Sequence, residues 1–183
     1  GSTSLSRQQS AAGITEHTYK VLGVLDQVTM SVAQMESNVR GYLIAPGSSY
    51  LDGKAAAEKE YRNSLATVRQ LTSDNPAQQT RLNELDTSVQ GWLDNVAKPR
   101  LTWAADPATL QKAFDHAAQG AGRQYMSAVT GKAKEITDVE LKLLDERAVA
   151  AANAAATAQW LGIAGAAGLL VIAAISLFIL NLG

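Results

Sequence analysis

The sequence predicts an all-α fold: an antiparallel four-helix bundle whose last helix continues as a transmembrane helix. Three observations predict it. Apolar residues recur at helical spacing through most of the chain, and no strand-type alternation competes with them. Aromatic residues are few and alanine is abundant, a composition suited to long helices. Every charged residue lies at or before Arg147, and the stretch "WLGIAGAAGLLVIAAISLFILNL" that follows (residues 160–182) carries none. It exceeds the roughly 20 apolar residues that span a bilayer.

The first helix places Val21, Leu25, Val28, Val32, Met35, Val39 and Tyr42 at alternating steps of four and three. Such a seam belongs to near-parallel helices packed together. It is expected to stop near Ala45, because Pro46 disfavours helical geometry in the residue before it. Residues 1–9 are read as an N-terminal linker, with Gly1-Ser2 a possible cloning scar. The second helix is expected from Ser49 to Thr72, with Ser48 or Ser49 as its cap and Leu51, Ala55, Glu58, Tyr61, Leu65, Val68 and Leu71 along one side.

Asn75 then stands as an N-cap, Pro76 as the first helical residue and Gln78 as the capping-box partner. The third helix buries Leu82, Leu85, Val89, Trp92 or Leu93, and Val96, and is expected to kink or stop at Pro99. Asp106-Pro107 caps a short helix over residues 110–116, and "QGAGR" breaks it. The fourth helix begins near Gly122 and carries Met126, Val129, Ala133, Ile136, Val139 or Glu140, Leu143 and Leu144. Nothing after Arg147 interrupts it. The expected organisation is therefore a bundle over residues 10–147, a juxtamembrane helix over 148–159 and a membrane helix over 160–182. Trp160 suits the headgroup interface. Ala158, Gly162 and Ala166 form a small-residue face for packing against another membrane helix.

Chemistry is sparse. Lys plus Arg total 16 against 17 Asp plus Glu, so no basic nucleic-acid surface is expected. There are no cysteines, and His17 and His116 keep no ligand spacing, so neither a metal nor a cofactor is expected. No GxSxG elbow or phosphate loop is present, and "TGK" at residues 130–132 lacks the earlier glycine. Carboxylates such as Asp138, Glu140, Asp145 and Glu146 read as solvated helix-face charges.

Glu36 with "RGYL" at residues 40–43, then Gly47 and Tyr50-Leu51, resembles the first-helix signature of CHASE3 extracellular sensor domains. "DNPAQQTRLNEL" (residues 74–85) is similar to that family's second signature. "GAGRQYMSAV" (residues 120–129), with Glu140, Leu143, Leu144 and Arg147 downstream, is a looser third, with Arg123 where lysine is usual. The resemblance covers residues 21–147. It implies a periplasmic or extracellular sensor between two membrane helices in a bacterial cytoplasmic membrane, the output following Gly183. A histidine kinase is the favoured output; a chemotaxis receptor or a cyclic-dinucleotide cyclase is the alternative, as is a ligand-free dimerisation tether. The expected partners are the membrane, a second copy in a homodimer, and a small ligand or periplasmic protein.

Arg40 has three readings: a surface ion pair with Glu36, a guanidinium offered to an anionic ligand at the membrane-distal end, or a local tie of the helix end. Gln78, Gln79 and Arg81 read as helix capping and polar surface, with a polar pocket shared with Arg40 as the alternative expectation. Tyr42 reads as core, Trp92 and Trp103 as bundle residues, and both histidines as solvated.

Overall fold

The computed structural model describes residues 2–181, with side chains from residue 4. Gly1 of the expected linker and Leu182 of the expected span lie outside the described residues. All regular structure among them is helical: α1 (Ser2–Ile44), α2 (Ser48–Leu71), α3 (Pro76–Trp92), a π-helical turn (Leu93–Ala97), α4 (Lys98–Ala104), α5 (Leu110–Ala118) and α6 (Arg123–Asn181). Among the described residues, 17–141 form one compact unit, and 2–16 with 142–181 form another. Residues 2–9, read as a linker, belong to α1.

In the bundle unit, the whole α1 seam from Val21 to Tyr42 is buried. It meets Ala57, Tyr61, Leu65 and Val68 of α2, Leu82, Leu85, Val89 and Trp92 of α3, and Val129, Ala133 and Ile136 of α6 in one core. Alternating steps of three and four keep these positions on one face of each helix, so four rods close around a common apolar interior.

Three local expectations are corrected. The α2 stripe starts at Ala57, not at Leu51 and Ala55, because α1 approaches α2 at glycines: Asn38 lies where a side chain on Gly53 would be, and the Tyr50 ring lies against Gly41. Neither Ser48 nor Ser49 caps α2; extended Gly47 precedes the helix and no side chain bonds its first turn. Pro99 does not stop the third helix. The π turn ahead of it shifts the ladder so that Lys98 N–H donates to Leu93 O, which accommodates a residue with no N–H, and the rod runs on to Ala104.

The Asp106 cap also differs, since its carboxylate accepts from Ala108 N–H and α5 begins only after Thr109. The α5–α6 connection turns on Gly120, whose φ of 69° is open to glycine at little strain.

In the other unit, an open apolar groove of about 630 Å³ runs between the start of α1 and the middle of α6. Ala11, Ile14, Leu144, Ala148, Ala155 and Ala158 line it.

Candidate functional site

The α2–α3 turn closes one end of the bundle, and Thr72, Asn75, Gln78 and Gln79 all have structural partners there. Asn75 caps α3 as expected, its side chain accepting from Gln78 N–H. Gln79 Nε2 donates to Arg69 O and Thr72 O at 3.0 and 2.8 Å, serving the carbonyls that the end of α2 leaves without helical partners. The Gln78 side chain does not return to the cap. It is fully buried and crosses to α6, where Nε2 donates to Ile136 O at 3.2 Å and to Glu140 Oε1 at 2.9 Å. Arg81 Nη1 donates to Gln78 Oε1 at 3.1 Å.

The result is a relay, Arg81 to Gln78 to Glu140, that ties the first turn of α3 to α6 through the interior. Glu140 is only 3% exposed. The sequence left Val139 or Glu140 for the seam and read the Glu140 carboxylate as solvated; Glu140 takes the seam position one turn after Ile136, and its solvated reading is corrected. A buried carboxylate is tolerated when donors meet it, and here the Gln78 amide, polarised by the Arg81 guanidinium on its far side, is that donor.

Arg40 lies at the opposite end. The 24 residues of α2 separate the two turns, a length of about 36 Å at helical rise, so the pocket expected to join Arg40 with Gln78, Gln79 and Arg81 does not form. Arg40 donates from Nη2 to Glu36 Oε1 at 2.9 Å, with its side chain 69% exposed. The α1–α2 end has a second cluster that the sequence did not announce. Arg100 of α4 donates from Nε to His116 Nδ1 at 3.0 Å and from Nη2 to His116 O at 3.4 Å. Trp103 meets the His116 ring edge-on at 5.3 Å between centroids. Arg100 also lies within the fields of Glu36 and Arg40. His116 is therefore a partnered residue holding α5 to α4, and Trp103 packs beside it.

The bond from Arg100 requires an unprotonated Nδ1. Burial, and then the Arg100 charge, hold the imidazole below its usual 6.5. Unfolded His116 takes up a proton as the pH falls through about 6.5, whereas the folded residue does so only at lower pH. Folding stability is thus complete above that value and declines as pH falls from it through the folded value. The expected result is a lower urea midpoint at about pH 5 than at about pH 7.5, with a smaller difference in His116→Phe.

α6 runs unbroken from Arg123 to Asn181. Its most apolar stretch has a mean hydropathy of 2.6, none of it buried, and is long and apolar enough to cross a membrane. Trp160, at the start of the expected span, is exposed, and Ala158, Gly162 and Ala166 lie on exposed helix with open space beside Gly162. Among the described residues no cluster of three or more His, Asp or Glu side chains could hold a metal ion.

Comparison with known proteins returns a match of residues 11–150 to the sequence model of the CHASE3 domain. The fold resembles the crystal structure of the Rhodopseudomonas palustris histidine kinase HK9 sensor domain. The TM-score is 0.63 at 20% identity, over 70% of this chain and 98% of that one. No curated protein matched.

Proposed function

The chain belongs to the CHASE3 domain family, a sensory module of a receptor, and from that premise we propose that it is the periplasmic input of a homodimeric sensor histidine kinase in a bacterial cytoplasmic membrane. The observation that carries this reading is the continuity of α6. Its first part contributes Val129, Ala133, Ile136 and Glu140 to the bundle core, and its last part is the apolar stretch. A helix shared in this way conveys a shift, tilt or rotation from one part to the other. A stimulus moves it only by favouring one of two packings over the other.

The relay through Gln78 supports the same reading, because it couples α3 to α6 through bonds that depend on their relative position. The likeness to a kinase sensor favours a kinase as output. Of the four residues expected to meet a ligand, Arg40 is the exposed one, at the end of the bundle where a soluble ligand or partner has access.

Single cysteines at residues 148–159 of the full receptor test the dimer in native membranes. Cross-linking at positions spaced three and four apart, changing with stimulus, is the expected outcome. If no position cross-links in either state, transmission through a pair of α6 helices is ruled out.

A further inference from the structure

A groove of about 420 Å³ opens between α2 and the rod formed by α3, the π turn and α4. That volume falls within the roughly 300–1,000 Å³ of ligand pockets. Lys54, Glu58 and Arg62 of α2 form one wall, and Asp94 of the π turn with Lys98 and Leu101 of α4 the other.

These charges are unequally matched. Glu58 is shared by Lys54 at 3.3 Å and Arg62 at 2.8 Å. Burial raises its carboxyl, but the two cations together outweigh it and hold the group below the ordinary carboxylate range. One carboxylate thus serves two cations. Across the groove, Asp94 and Lys98 have no side-chain hydrogen bond or ion pair with any described residue. Lys54 is only 19% exposed, so its ammonium is partly withdrawn from water, with a shared carboxylate as its one ion pair among the described residues.

Lys54 and Lys98 thus offer donors to a carboxylate, while Asp94 offers acceptors to an ammonium. Leu101 supplies an apolar surface for what joins them. A dianion meets Asp94 and Glu58, and a dication meets three cations; a molecule carrying one charge of each sign avoids both repulsions.

We propose that this groove binds a small zwitterion of the amino-acid type, its carboxylate at Lys54 and Lys98 and its ammonium at Asp94. The inference deepens the sensory reading by naming a ligand class, and binding is measured separately from signalling.

The test is calorimetric titration of the full chain in detergent with each standard amino acid. Succinate serves as an anion-only probe and putrescine as a cation-only one. At least one amino acid is expected to bind saturably, and Lys98→Met and Asp94→Asn should each weaken it by about tenfold or more. Both side chains are exposed, so the folded bundle survives either change. The proposal fails if no amino acid binds, if succinate or putrescine binds as tightly, or if the two variants bind like the wild type. Binding that leaves receptor output unchanged supports the groove and counts against its role in sensing.

Discussion

Gln78→Leu is expected to destabilise the bundle by about 3 kcal/mol, a large share of the stability of a domain this size. The substitution removes the one side chain that, among the described residues, donates to the buried Glu140 carboxylate, and it leaves Ile136 O without its extra donor. A charged group buried without a partner incurs its desolvation penalty in full. Glu140→Gln should cost only about 1 kcal/mol, because an amide oxygen still accepts from Gln78 Nε2. The double variant Gln78→Leu/Glu140→Leu is the informative one. Both polar groups go together, the leucines have similar volume, and stability should return to within about 1 kcal/mol of wild type. Urea unfolding followed by circular dichroism separates the three cases. If Gln78→Leu unfolds at the wild-type midpoint, the relay is not a buried interaction.

Ala152→Pro is expected to disconnect the receptor without unfolding its bundle. Proline at this position deletes the helical bond to Ala148 O and clashes with the preceding turn, about 3 kcal/mol against an unbroken helix. The last buried residue of α6 in the bundle is Glu140, three turns earlier, so the core packing is untouched. In the full receptor, a change in output produced by Gln78→Leu should disappear when Ala152→Pro is added, whereas Ala152→Ser should leave it. Output that still responds in the proline variant means that the signal bypasses α6.

The sequence made the seams legible and obscured the exceptions within them. Val21 through Tyr42 could be assigned to the core because seven apolar residues keep one spacing, and their burial follows from that geometry. Glu140 occupies an equivalent seam position, but a carboxylate in a charged segment reads as solvated. Only its pairing across 62 positions of sequence with Gln78 shows otherwise. Gln78 had a sufficient local role as a capping partner, which hid the long-range one.

The grouping of Arg40 with Gln78 and Arg81 failed for a different reason. The length of α2 was itself readable, and a helix of 24 residues carries its two ends apart. Pro99 was read as a kink or a stop because a proline inside a helix removes a bond; the π turn that absorbs it has no local sequence signal. Leu51 and Ala55 lost their place in the core to Ala57 because Asn38 and Tyr50 fill the space beside Gly53 and Gly41, a pairing that depends on how two helices meet.

Transmission rests on α6 being one rod from the bundle into the membrane. Nitroxide labels placed singly at each of residues 140–160, in the receptor reconstituted in bilayers, report the mobility of every position. One continuous helix gives mobility that oscillates with a period of about 3.6 residues across the whole window. A run of uniformly mobile positions within residues 148–159 would mean a flexible joint there, and α6 could then carry no displacement to the membrane.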